Sequence, residues 1–209
     1  MKVEEKATDV APPAERLPEH TAGPQSFAWW GMVWLIATEA TLFAALLATY
    51  FYLRFKAGPV WPPEGIDTPG LALPLIMSAI LLSSSIPVHY ADAGVRDGSQ
   101  RRLRAGLAVG FLLGAIFLGL TWGAEWPEKL HEFTPTTNSY GSLFFTITGF
   151  HSLHLVVGLA FSFWTQVRAW RGAFDQERHL TVQLFAMYWH FVDVVWVFVL
   201  ATIYLSPRL

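Results

Sequence analysis

The 209-residue chain contains no cysteine, which excludes disulfides, iron–sulfur clusters and thiolate metal sites and leaves imidazole and carboxylate as the only strong metal ligands. It is also poor in charge. Only 14% of residues are Asp, Glu, Lys or Arg, against roughly a quarter in an ordinary soluble domain. A net charge of -2 provides no basic field for nucleic acid, so no nucleic-acid partner is expected. Glycine-rich phosphate loops, nucleophile constellations and paired-acid hydrolase patterns are missing, which removes support for a self-contained soluble-type catalyst. What is abundant is apolar and aromatic: 53% hydrophobic residues, with sixteen Phe, ten Trp and six Tyr. Rings of this kind suit the two interfaces of a bilayer, and the composition defines an integral membrane protein.

Spanning a hydrocarbon core of about 30 Å takes about 20 apolar residues in a helix. Five such windows occur, approximately at 27–53, 71–90, 105–123, 140–166 and 184–205. Prolines 59, 62, 63 and 69, then 127 and 135, interrupt the chain between spans, where a helix cannot easily continue. The expected fold is therefore all-α, a polytopic bundle of five transmembrane helices over 27–209. Residues 1–26 are rich in proline and charge and are expected to form a disordered polar tail. They have neither the basic start nor the short apolar stretch of a secretory signal, so the first helix is expected to direct insertion. With five spans, one side carries Lys2, Lys6, Arg16, Arg96, Arg101, Arg102, Arg104, Arg168, Arg171 and Arg178, and the other Arg54, Lys56, Lys129 and Arg208. This bias places the amino terminus in the cytoplasm and the carboxyl terminus outside.

Helices in lipid approach each other through small residues. Gly106, Gly110 and Gly114 draw a smooth stripe on the third span, continued after one slip by Gly119 and Gly123, and Ala40, Ala44 and Ala48 draw another on the first. Either stripe can serve packing within the bundle or a subunit interface.

An acid at mid-membrane needs a partner, a proton or a wet cavity. Glu39 and Asp193 lie that deep. Glu39 reads either as a structural carboxyl or as a proton-handling group. His151 and His154 share one face of the fourth span, and His190 and Asp193 repeat the spacing on the fifth. Antiparallel neighbours bring these residues to a common depth near Glu39 and predict one buried polar network, which either fixes helix register or, less in keeping with the absent HExxH pattern, holds a metal. Glu125 and His89 sit near span ends, where they can reach an interface and need no special role.

The runs WGMVWLIATEATLF around Glu39, WPPEGI from Trp61 to Ile66, YGSLFFTITGFHSLHLVVG from Tyr140 to Gly158 and YWHFVDVVWVF from Tyr188 to Phe198 together resemble subunit III of the haem-copper respiratory oxidases, most closely the cytochrome c oxidase branch. The resemblance covers nearly everything after the tail. It implies a non-catalytic subunit of a proton-pumping terminal oxidase, with Glu39 at the position of the buried carbodiimide-reactive carboxyl. It also implies that this chain holds no cofactor or metal and no catalytic residue, the haems and copper belonging to subunits I and II. Implied partners are subunit I as the principal contact, subunit II and membrane phospholipids, with Trp61, Arg96 and Trp189 as lipid contacts. The roles implied are complex stability, lipid retention and proton uptake to subunit I. Five spans resemble the short bacterial form, which implies a bacterial cytoplasmic membrane. Three positions depart from the family's pattern: Ser152 for a glycine, Gln183 for a glutamate and Trp30 for an arginine.

Alternatives from other classes are the equivalent subunit of a quinol oxidase or nitric oxide reductase, an independent haem- or metal-binding membrane protein using His151, His154 and His190, and a proton-coupled transporter using Glu39 and Asp193. The last lacks the internal repeat such transporters normally show.

Overall fold

The computed structural model describes residues 23–208 apart from 25, 59, 64 and 67. The greater part of the expected polar tail, residues 1–22, lies outside the described residues. Helix α1 spans Phe27–Ala57, α2 Ala72–Arg96, α3 Gln100–Leu120, α4 Trp126–Glu132, α5 Ser139–Trp170 and α6 Leu180–Val199. A π-helical turn at Thr121–Glu125 joins α3 to α4, and a second at Leu200–Leu205 prolongs α6 into a single 3-10 turn at Ser206–Arg208. The described residues contain no strand, and five helical units are long and apolar enough to cross a membrane: Phe27–Ala57, Ala72–Arg96, Gln100–Glu132, Ser139–Trp170 and Leu180–Arg208.

These helices outrun the apolar windows, because helical hydrogen bonding continues where hydropathy stops. Helix α3 begins with Gln100, Arg101 and Arg102, outside the expected span, and the Ser99 hydroxyl accepts from Arg102 N–H at 3.4 Å to cap it. Asn138 caps α5 in the same manner, accepting from Gly141 N–H at 2.9 Å. Helices α2 and α5 stop on left-handed glycines, Gly98 and Gly172. After α2, Ser99 N–H returns to the Gly94 carbonyl at 2.8 Å, and after α5, Ala173 N–H returns to Arg168 at 3.1 Å, satisfying carbonyls that the helix leaves open.

The tight α2–α3 turn makes these two helices an antiparallel pair packed on glycine. A Cβ on Gly106 would lie 2.4 Å from the Pro87 carbonyl oxygen, and one on Gly110 2.8 Å from a Val88 methyl. Only hydrogen allows the backbones to close that far. Further along the stripe Gly114 meets the Trp189 ring of α6, where a Cβ would come within 2.5 Å, and Gly158 of α5 faces another edge of the same ring. Gly119 and Gly123 meet nothing, so the glycine stripe packs the bundle over its first three members alone.

Trp189 is thus wedged between α3 and α5, fully buried, with its indole N–H donated to Ser84 Oγ at 2.8 Å. This corrects its expected lipid contact: the ring keys three helices together and presents nothing to the bilayer. Trp61 is enclosed as well, since its N–H is donated to the Tyr50 hydroxyl at 2.9 Å and its ring stands edge-on to Tyr140. Arg96 remains half exposed at the end of α2, paired with Asp92 at 2.5 Å.

Helix α1 leans against α5 and α6 and buries only Phe43 and Tyr50. Ala40, Ala44 and Ala48 remain exposed. Between α1 and α6 the first two line an apolar groove with Phe43, Leu47, Phe191 and Phe198.

Candidate functional sites inside the bundle

Two helices build the first site. Glu39, midway along α1, places Oε2 3.0 Å from His154 Nε2 on α5. The other ring nitrogen, Nδ1, lies 2.7 Å from the Phe150 carbonyl one turn back, an acceptor that fixes a proton on Nδ1. A hydrogen bond between Nε2 and the carboxyl then needs one further proton shared by the pair, on Glu39 when both groups are neutral or on His154 when both are charged. The pair opens sideways on an apolar cleft of about 280 Å³ lined by Leu35, Leu42, Phe150, Leu153, Val157 and Tyr188. Glu39 is 33% exposed to that cleft, whereas His154 is nearly enclosed. Tyr188 donates its hydroxyl to the His154 carbonyl at 3.2 Å, holding α6 against the same turn of α5.

A second site lies between α2 and α6. The Ser85 hydroxyl donates to Asp193 Oδ2 and stands 2.9 Å from His190 Nδ1. The proton between Ser85 Oγ and His190 Nδ1 belongs to one or the other according to the imidazole's tautomer. Asp193 Oδ1 is buried without a partner among the described residues.

His151 joins neither group. It is buried with both nitrogens unpartnered, 5.1 Å from the Trp196 ring and 5.9 Å from Phe117. The single network expected from His151, His154, His190 and Asp193 is therefore divided among three places. The cause is angular: residues three apart on a helix diverge by about 60°, enough to send His154 towards α1 while His151 enters the α3–α6 core. No three His, Asp or Glu side chains converge in metal-binding fashion among the described residues. The histidine triad of the metal-protein alternative is dispersed.

Sequence reasoning missed a third site. Glu125 is 2% exposed, accepts a hydrogen bond from the Tyr204 hydroxyl, and leaves Oε2 unpartnered. It occupies the end of one π-turn and Tyr204 lies within the other. A π-turn widens the helix by one residue and redirects the side chains beyond it. Glu125, expected near a span end, is thereby brought into the interior, and nothing in the residue pattern marks the π-turn.

Two of the departures from the family pattern have local partners. Gln183 Oε1 accepts from Gly23 N–H at 3.0 Å, and Trp30 donates its indole N–H to the Pro24 carbonyl at 2.9 Å, so both tie the segment before α1 to the bundle end.

Fold and sites together define a five-span helical membrane protein whose deep carboxyl groups are held by histidine, serine and tyrosine. Comparison with known proteins makes the family definite. The chain belongs to the cytochrome c oxidase subunit III family, whose family model matches residues 4–207. Among its relatives, cytochrome c oxidase subunit 3 of Oryctolagus cuniculus is 33% identical over 190 residues, 88% of this chain and 72% of the relative. The proteins of the same name from Triticum aestivum and Gadus morhua are 33% and 34% identical over 190 residues, 88% of this chain, covering 71% and 72% of those relatives. Members of this family are subunits of a multi-subunit oxidoreductase complex of the respiratory chain.

Proposed function

We propose that this chain is a non-catalytic subunit of a proton-pumping haem-copper oxidase of the cytochrome c type. It sits in a bacterial cytoplasmic membrane, amino terminus inside and carboxyl terminus outside, and binds subunit I as its principal neighbour and subunit II beside it. The haems and copper belong to those neighbours. This chain contributes stability to the complex, retention of phospholipid and a proton-supplying environment.

The Glu39–His154 pair carries the reading. A carboxyl and an imidazole sharing one mobile proton, 3.0 Å apart and open to an apolar cleft, suit proton exchange at membrane depth better than simple helix packing, for which a fully enclosed bond serves as well. The cleft's apolar lining suits an acyl chain, and the half-exposed guanidinium of Arg96 at the end of α2 supports a contact with lipid phosphate.

Affinity purification through a tag on this chain tests the proposal. The expected result is co-purification of haem-bearing subunits, with oxygen consumption that declines faster during turnover once this chain is stripped away. Purification of the chain alone with a stoichiometric Soret band overturns it.

A further inference from the structure

The arginines at one end of the bundle divide into two groups. Among the described residues, Arg96, Arg102 and Arg178 are each paired with an aspartate, at 2.5, 2.5 and 2.6 Å. Arg101 and Arg104, near the start of α3, have no such partner. Arg104 is nevertheless held in place. Its Nε–H is donated to the Ala169 carbonyl at the end of α5, 3.2 Å away, and its guanidinium lies 5.0 Å from the centre of the Trp170 ring. Gln166 completes the clasp by donating its side-chain amide to the Arg104 carbonyl at 3.2 Å. One edge of the guanidinium is thus spent on holding α3 to α5, while its terminal Nη groups donate to nothing among the described residues.

Deeper in the membrane the same flank of α3 and α5 is apolar. Ala108 follows Arg104 by one turn on one side of α3, and Phe111 follows a turn later, its ring 6.5 Å from that of Phe163 on α5. Ala108 is exposed, and Phe163 and Trp170 are 61% and 63% exposed, so this flank faces the bilayer. It lies apart from the two apolar openings that α1 lines.

Free guanidinium donors in a fixed plane suit the paired oxygens of a phosphodiester. Arg101, exposed one turn earlier, adds a second unbalanced positive charge. An exposed indole beside them sits well at the headgroup level, and the apolar flank beyond it accepts a hydrocarbon chain. A zwitterionic headgroup brings its own ammonium, which two unpaired arginines repel, so the charge selects a lipid of net negative charge. We propose that the α3–α5 flank binds an anionic glycerophospholipid, its phosphate on Arg104 and Arg101 and an acyl chain along Ala108 and Phe111.

The inference rests on the lipid-retention reading above and adds to it a second place and a class of lipid. The test uses the intact complex purified in mild detergent, with its lipids counted by mass spectrometry and arginine access read by phenylglyoxal labelling and peptide mapping. The double variant Arg101→Gln with Arg104→Gln is expected to lose one anionic phospholipid per chain and keep its zwitterionic lipid, whereas Arg178→Gln, which removes an aspartate-paired charge, should change neither. Membrane abundance separates lost binding from lost folding, and Arg104→Gln alone serves if the double variant does not accumulate. In wild-type complex stripped of lipid, Arg104 should become reactive. Reconstitution into phosphatidylglycerol vesicles should then slow its labelling about tenfold, the ratio that one charge-assisted hydrogen bond supplies, while phosphatidylcholine vesicles or inorganic phosphate should not. The assignment is wrong, and the lipid-retention reading stands, if the variants keep their anionic lipid, if they shed a neighbouring subunit in its place, or if phosphatidylcholine or inorganic phosphate protects equally. If the wild-type complex carries no phospholipid, the lipid-retention reading itself fails.

Discussion

Trp189 and Ser84 are joined by an indole-to-hydroxyl hydrogen bond of 2.8 Å that fastens α6 to α2 in the driest part of the bundle. The same ring fills the gap that Gly114 and Gly158 leave open. One residue therefore combines a buried polar bond with the steric key of three helices. Trp189→Phe should lose the bond and part of the volume, leaving the Ser84 hydroxyl with only its local carbonyl contact to Leu81. A cost of about 1–3 kcal/mol is expected, read as a lower thermal transition of the detergent-solubilised protein.

Close approach at Gly106 gives a sharper outcome. Its missing side chain accommodates the Pro87 carbonyl oxygen, which is backbone and cannot swing away. Gly106→Ala should separate α2 from α3 and destabilise by about 1–3 kcal/mol or more, whereas Gly119→Ala, with nothing near, should be neutral. Relative yields of folded protein after mild heating check the contrast.

Chemical labelling should rank the three deep acids by access. Glu39 opens on an apolar cleft, while Glu125 and Asp193 are enclosed. A hydrophobic carbodiimide is expected to modify Glu39 and spare the other two, as judged by peptide mass spectrometry. Glu39→Gln should abolish the modification with assembly largely intact, because the amide keeps volume and hydrogen bonding. Asp193→Ala should impair assembly, since it removes one of the two α6 side chains that hold Ser85.

The Tyr204–Glu125 contact should behave unlike a surface pair. Tyr204→Phe leaves a buried carboxyl with no partner among the described residues, and the expected cost is about 1–3 kcal/mol. The double variant Tyr204→Phe with Glu125→Leu removes both polar groups and should recover part of that loss. A double-mutant cycle on thermal stability measures the coupling.

In the loop between α5 and α6, the Arg178 side chain grips Asp175 at 2.6 and 2.9 Å, and the Arg178 backbone N–H adds a bond at 2.7 Å. These bonds, the side-chain ones foremost, hold the Asp175 carboxyl below its usual range. A depressed folded value means that the contribution to stability is present above the unfolded Asp value of about 3.9 and is lost as pH falls through the folded value. Asp175→Asn should therefore show a small constant offset from wild type across about pH 6–8, converging only in acid. A thermal-shift series over pH checks this.

Hydropathy alone made the five spans legible, because the bilayer demands long apolar runs and Pro62, Pro63, Pro69 and Pro135 lie between them, whereas the break expected at Pro127 does not occur: that residue opens α4 within the helical unit Gln100–Glu132. Helix ends were not legible in the same way. Arg101 and Arg102 are helical because Ser99 caps their turn, a local hydrogen-bond fact that hydropathy does not weigh. The pairing of Glu39 with a histidine of the fourth span was within reach, but which histidine was not, since His151 and His154 differ only in azimuth. Glu125 was hidden for another reason: counting 3.6 residues per turn across Thr121–Glu125 gives the wrong face once the helix widens there. The tryptophans misled because an indole reads equally as an interface anchor and as a core wedge, and the glycines opposite Trp189 decide in favour of the wedge.

Helix α1, which encloses only Phe43 and Tyr50 against the rest of the protein, bears on biosynthesis. Its backbone bonds are internally complete, so hydrocarbon alone can keep it upright. It can thus enter the bilayer before its companions exist and dock late, with the carboxyl of Glu39 waiting for His154 to be translated more than a hundred residues later. Formation of that pair then reports that the newborn polypeptide has closed upon itself.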